Sequence, residues 1–299
     1  MQSNHAISVR QFAGPDWYHG RMTPLRIAHL TDLHVGRITP MKVQRRAVEL
    51  TNQAQPDLVV ITGDFVCHSQ LYLDDLTELM RGLKAPVFAV LGNHDHWSGG
   101  PEVRRALKKA GVAVLDNQHT VETFRGEKLQ LVGLDDAYTG HADRDAATRG
   151  LDRNLPTLGL SHIAEEADGL WARGVPLVLS GHTHAGQITF ARLNELALGR
   201  IGGHRYVHGL YGTRKDPAAG AVYVGAGIGA SVMPLRIGDR GRREITLFEL
   251  GHAPNHIVEH HEEQPALPGR KPSQQTVERR KKKVLDKLAK RLRTTSFSS

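Results

Sequence analysis

Residues able to bind metals or move protons recur at the ends of apolar runs. LRIAHLTDLH closes on Asp32 and His34, DLVVITGD on Asp64, and PVFAVLGNHD on Asn93, His94 and Asp95. TLGLSH closes on His162, and PLVLSGHTH on His182 and His184. Mixed imidazole and carboxylate sets suit Mn, Fe or Zn better than Mg or Ca, which prefer oxygen cages. Taken singly each cluster is a weak signal, because D-x-H and G-D arise by chance and a histidine after a strand is more often structural than a ligand. Taken together they place ligands at the ends of neighbouring strands, where open α/β sheets bind their ligands. Side-chain packing does not explain such a succession.

The elements that must position these residues are legible in the same runs. LRIAHL, DLVVIT and PVFAVL read as buried strands, and each is followed by a helix-like segment, over 40–54, 71–83 and 101–110. Further strands are expected in LQLVGL (129–134), TLGLS (157–161), PLVLSG (176–181), AVYVGA (221–226) and EITLFEL (244–250). The alternation predicts an α/β fold, a two-layer β-sandwich flanked by helices. Residues 1–24 read as a polar leader, 25–250 as one catalytic domain, 251–275 as a polar linker and 276–299 as a basic amphipathic tail helix. The Gly-rich, basic stretch between His184 and Ala221 reads as a loop. Gly63, Gly92 and Gly181 precede ligands at turns where a side chain would crowd the site.

The ordered set D-x-H, G-D, G-N-H-D, H, G-H-x-H resembles the calcineurin-like metallophosphoesterase superfamily over about residues 25–250. The resemblance implies two metal ions. One would be held by Asp32, His34, Asp64 and His184, and the other by Asp64, Asn93, His162 and His182, with Asp64 bridging. Such a pair generates a hydroxide at neutral pH and clamps the oxygens of an in-line displacement at phosphorus. His94 is implied as transition-state stabiliser or general acid to the leaving oxygen, with Asp95 able to orient it. Asp135 and Asp136 follow another apolar run, either supporting a ligand histidine through a hydrogen bond or serving as turn residues.

Within the superfamily, Ser/Thr phosphoprotein phosphatases carry an arginine after the second motif and another before GNH. GDFVCHS and AVLGNHD lack both. TDLH, GNHDHW and SGHTHAGQI resemble a bacterial branch assigned as phosphodiesterases or phosphohydrolases, some acting on nucleotide-linked lipids such as UDP-diacylglucosamine. The expected reaction is hydrolysis of a phosphodiester or pyrophosphate. The alternatives are a cyclic-nucleotide or nucleic-acid phosphodiesterase with a different rim, and a noncatalytic metal-binding scaffold. Arg37, Arg205, Arg214 and Lys215 are candidates to grip a second phosphate, and Trp97 to line the pocket or fill core.

The formal net charge of the 299 residues is +8, but residues 270–293 hold eleven Lys or Arg against Glu278 and Asp286, so the rest of the chain is close to neutral. The basic character therefore belongs to the tail and not to the catalytic surface. Cys67 is the single cysteine and reads as a small core residue. No apolar run reaches the roughly 18 to 20 residues of a membrane span, and the start lacks the apolar stretch of a signal peptide, so the expected location is cytoplasmic, peripheral at the inner face of the membrane if the tail binds lipid. In that tail Val284, Leu285, Leu288 and Leu292 fall at helical spacing among cations. This suits an anionic membrane surface through residues 276–293; nonspecific contact with nucleic acid and a merely solvated tail are the other readings. The histidines at 252, 256, 260 and 261 sit in polar sequence without strand context and are not counted as site residues. Deleting residues 270–299 is expected to abolish pelleting with anionic liposomes; unchanged pelleting would remove the membrane role.

Overall fold

The computed structural model describes residues 6–186, 203–216, 219–230, 241–260, 262–269, 273–276, 278–282 and 285–286. Strands β2 (Leu25–Leu30), β3 (Leu58–Thr62) and β4 (Val87–Val90) are near-continuous Leu, Ile, Val and Ala, as strands covered on both faces must be. Alternate residues go to opposite sides. Ala28, Leu30, Val59, Ile61 and Ala89 pack under helices α1 (Met41–Gln53), α2 (Leu73–Arg81) and α3 (Asn93–Lys109). Ile27, Leu58, Val60, Phe88 and Val90 instead meet Leu129, Leu131, Leu158, Leu160, Leu177 and Leu179 of a second sheet.

Each sheet has six strands. The first runs β1 (Ile7–Ala13), β12 (Arg243–Leu250), β2, β3, β4, β5 (Ala113–Val114). The second runs β10 (Gly209–Gly212), β11 (Ala221–Val224), β9 (Leu177–Ser180), β8 (Thr157–Ser161), β7 (Glu127–Leu134), β6 (Gln118–Phe124). Its outer face is covered by α4 (Arg144–Thr148) and α5 (Ala167–Trp171) through Ala147, Ala167 and Leu170. The result is the expected sandwich of two sheets flanked by helices. β2, β3, β4 and β5 are parallel to one another, as are β7, β8, β9 and β11. Their carboxyl ends therefore gather at one end of the sandwich.

Four expectations need correction. Residues 1–24 are not merely a leader, because Ile7–Ala13 pair in parallel with β12, from Ile7 opposite Arg243 to Ala13 opposite Glu249. The stretch between His184 and Ala221 contains a strand, β10, antiparallel to β11. Residues 251–267 are no free linker: the Gln264 amide donates to the Leu210 carbonyl and the Leu267 amide to the Arg205 carbonyl. Helix α3 begins at Asn93 instead of 101 and bends at Gly99, where φ is +115°, just ahead of Pro101. Among the described residues no helix is long and apolar enough to cross a membrane.

A polar network is buried within this architecture. The Glu244 carboxylate accepts from Arg10 Nε at 2.6 Å, from the Tyr223 hydroxyl at 2.9 Å and from the Ala226 amide at 2.8 Å, and lies 3.0 Å from His208 Nε2. Burial opposes its ionisation, but His208 and Arg10 outweigh burial and hold its pKa far below the usual carboxylate range. A depressed carboxylate stabilises the fold above its unfolded value, about 4.3, and loses that contribution as pH falls through the folded value. Glu244→Gln is expected to cost on the order of 3–5 kcal/mol, because Arg10 keeps a buried charge. It should also flatten the acid limb of Tm against pH, measured by calorimetry.

Candidate metal centre

The site lies where β2, β3, β4, β8 and β9 end. Each chain turns away abruptly: Asp32, His34, Asp64, His182 and His184 all have left-handed backbones, with φ of 50, 46, 56, 75 and 52°. Non-glycine residues adopt this region at a cost of order 1–3 kcal/mol each, a strain that collects at functional sites. Backbone bonds hold the turns. The Asp32 amide donates to the Gly63 carbonyl at 3.0 Å, and the His34 amide to the Asp64 carbonyl at 2.9 Å. The loops approach so closely that a Cβ on Gly63 would lie 2.7 Å from the Gly92 nitrogen and 2.7 Å from His162 Nδ1.

Ligand atoms of Asp32, His34, Asp64 and His184 lie within 4.8 Å of one another, and so do those of Asp64, His162 and His182. Asp64 is common to both groups. Asn93 joins the second, with Oδ1 3.2 Å from His162 Nε2. His162 Nδ1 donates to the Thr62 carbonyl at 2.7 Å, which turns Nε2 toward Asn93 and Asp64. His34 and His184 face each other through their Nε2 atoms at 3.0 Å. Asp32 Oδ2 accepts from the Thr31 hydroxyl and the His182 amide, while Oδ1 has no hydrogen-bond partner among the described residues.

The electrostatics call for cations at this site. Asp32 and Asp64 are 0% and 1% exposed, so two carboxylates share a region water does not screen. Burial, then Asp64, push the Asp32 carboxyl up to about 6 despite the opposing pull of His162. Burial also opposes charge on Asp64 and on His162. Their mutual attraction wins, holding Asp64 well below its ordinary range and lifting His162 to about 10. A buried Asp, His and Asn donor set with a carboxylate oxygen that accepts no hydrogen bond among the described residues fits divalent metal ions.

The remaining expected residues divide. His94 Nε2 is 3.9 Å from Asp64 Oδ2, and its ring packs against His34, His68 and Trp97 at 4.7, 4.2 and 4.8 Å. Trp97 therefore lines the site and is half-buried. Asp95, expected to orient His94, instead accepts the Phe65 and Val66 amides on Oδ1 and the Gly92 amide on Oδ2. It stitches together the loops that carry Asp64 and Asn93. Asp135 binds His96 Nε2 at 2.7 Å and Arg104 at 2.9 Å, so the histidine it supports is not in the ligand set. Asp136 closes a turn by accepting the Thr139 amide and hydroxyl.

Two of the arginines expected to grip phosphate, Arg205 and Arg214, are engaged by carboxylates. Arg214 is 2% exposed, bound to Glu259, Glu263 and the Ala13 carbonyl, which corrects the expectation of a substrate role. The guanidinium of Arg205 is taken up by Asp168. Arg37 and Lys215 are exposed. Cys67, read as core, is partly exposed, and its sulfur lies within 4.8 Å of ligand atoms of His34 and His94. Tyr138, which no sequence signal marked, stands 5.2 Å from the His182 ring and 5.9 Å from Trp97. Residues 274–276 and 278–282 of the tail are helical and Leu285 is 63% exposed, whereas Val284, Leu288 and Leu292 lie outside the described residues.

The profile of the calcineurin-like phosphoesterase family matches residues 25–186, and the chain belongs to that family of metal-dependent phosphoric ester hydrolases. It is similar to phosphodiesterase YaeI of Escherichia coli (strain K12), at 31% identity over 242 residues that cover 78% of this chain and 85% of that protein. It is also similar to the uncharacterized metallophosphoesterase YkuE of Bacillus subtilis (strain 168), at 29% identity over 231 residues covering 75% and 78%. Among solved structures, a 5'-nucleotidase precursor from Thermus thermophilus shares the fold, with a TM-score of 0.51 and 16% identity over 79% of this chain and 56% of that one.

Asp95→Ala removes the acceptor of three buried amides. It is expected to destabilise the protein by about 2–4 kcal/mol, read by denaturant melts, and to weaken manganese binding in titration calorimetry.

Proposed function

We propose that the protein hydrolyses a phosphodiester or diphosphate ester at a dinuclear centre. Asp32, His34, Asp64 and His184 would hold one divalent ion, and Asp64, Asn93, His162 and His182 the other, the ions being Mn, Fe or Zn. The observation that carries this reading is the sharing of Asp64 by two ligand clusters. When bound, a pair of divalent ions supplies a water of lowered pKa as nucleophile and offsets charge on the phosphoryl oxygens.

The chain's own residues supply the rest. His162 is fixed by its bond to the Thr62 carbonyl, so its ligating nitrogen is aimed before any ion arrives. The His94 imidazole would give a proton to the leaving oxygen, a role supported by its partial exposure beside Asp64. Trp97 and Tyr138 meet edge to face on one side of the site, against His94 and His182. A diester is favoured over a monoester because the arginines that grip a phosphomonoester in the Ser/Thr phosphatases have no counterpart in GDFVCHS or AVLGNHD. The relative named as a phosphodiesterase agrees with this choice. Contact of the tail with an anionic membrane at a cytoplasmic face belongs to the same proposal, supported by its cations and the exposed Leu285.

Metal-stripped protein reloaded with manganese is expected to hydrolyse bis-p-nitrophenyl phosphate, with His162→Ala lowering kcat/KM on the order of a thousandfold, about 4 kcal/mol. Metal analysis should find about two ions per chain, about one in His184→Ala and fewer than one in Asp64→Ala. Turnover of p-nitrophenyl phosphate without turnover of the diester would make the enzyme a monoesterase. Equal metal loss in both variants would remove the bridging role of Asp64.

A further inference from the structure

The mouth of the metal centre receives a cation from the far end of the chain. The Arg280 guanidinium carbon lies 3.7 Å from the centroid of the Tyr138 ring, a cation–π contact. Tyr138 in turn lies 5.2 Å from His182 and 5.9 Å from Trp97. Two ring contacts thus lead from Arg280 to a proposed metal ligand. Tyr138 is held from behind: Asp136 accepts the Thr139 amide and hydroxyl, the Thr139 hydroxyl also lies 2.8 Å from His141 Nδ1, and His141 stacks on the buried His96 at 4.0 Å. Lys281 stands near the same turn. After burial and His96, it is among the charges that press the His141 pKa down to about 4.

Arg280 differs from the two arginines that carboxylates occupy. Arg205 is bound to Asp168, and Arg214 to Glu259 and Glu263. Arg280 is only partly exposed, and among the described residues no carboxylate is paired with it. A guanidinium seated over a ring meets it through its charge and keeps N–H donors for an anion, and a phosphate takes two of them at once.

We propose that Arg280, carried on the C-terminal basic segment and seated on Tyr138, binds a second anionic phosphate of the substrate, next to the one that is cleaved. The proposal rests on the phosphoesterase reading and narrows its substrate class to diphosphate esters. Trp97 and Tyr138 then flank the group linking the two phosphates, and Lys281 adds longer-range attraction. Arg280 is a specificity residue, outside the ligand set.

The test is calorimetric binding of α,β-methylene-ADP and of AMP to the manganese-loaded full-length protein, without turnover in the readout. The unsubstituted protein is expected to prefer the diphosphate by about tenfold or more, Arg280→Ala to lose most of that preference, and Arg280→Lys to keep part of it. A ratio unchanged in Arg280→Ala, or no preference in the unsubstituted protein, overturns the proposal. So does tighter binding of both ligands by Arg280→Ala, which would make the segment a plug over the mouth. Turnover of bis-p-nitrophenyl phosphate by the unsubstituted protein, measured on the same sample, reports the phosphoesterase reading separately. Absent turnover with an intact, Arg280-dependent diphosphate preference would sink that reading and reduce Arg280 to a diphosphate-binding residue without a role in substrate choice.

Discussion

Two buried carboxylates, Asp32 and Asp64, sit at the ends of adjacent parallel strands, and much of the structure answers to that juxtaposition. Like charges deprived of water repel strongly unless cations lie between or beside them. The imidazoles of His34, His162 and His184 provide the immediate surroundings. Backbone conformation provides the rest, since five of the seven residues in the proposed ligand set sit in left-handed turns that keep their side chains at the sheet edge. Such strain persists only where neighbouring contacts over-determine it. Here those contacts are amide-to-carbonyl bonds between the loops and glycines that let one loop lie against the next.

The inner part of the site and its rim are built differently. At the base, Asp95 fastens one loop to another by accepting three amides, and a carbonyl sets the tautomer of His162. These are short, buried and directional bonds. At the rim, His68, Trp97 and Tyr138 meet through ring contacts, which tolerate small shifts. A rigid base suits chemistry that depends on fixed distances. An adaptable rim suits recognition of a substrate whose bulk lies beyond the reacting phosphorus.

How much of this was legible in the sequence follows from the range of the interactions. The strands leading to Asp32, Asp64 and His162 announce themselves through apolar runs, and the proposed ligands through their place just after those runs. β1 was hidden because ISVRQFA is unremarkable until it is paired with residues 243–249, far along the chain. Arg214 looked like a surface base because nothing near it in sequence reveals Glu259 and Glu263. Asp95 could not be read either, since an aspartate beside His94 looks like its partner until the amides of Phe65 and Val66 are seen to claim it. Tyr138 and Arg280 carry no motif at all. Their meeting is a product of tertiary structure.

The position of β12 has a consequence for how the protein comes into being. It lies between β1 and β2, so the strand that begins the chain cannot reach the sheet bearing Asp32 and Asp64 until residues 243–250 have been made. While the ribosome is still translating the middle of the chain, β1 has no partner and β2 presents an open edge. Pairings of such sequence separation form slowly and leave unpaired edges available to other chains. The second sheet, whose strands follow one another closely from β6 to β9, is free to assemble earlier. The seven residues of the proposed ligand set, from Asp32 to His184, all precede β12, so they are made while the edge of β2 is still open, and newly made chains are most exposed to misassembly in the interval before β12 emerges.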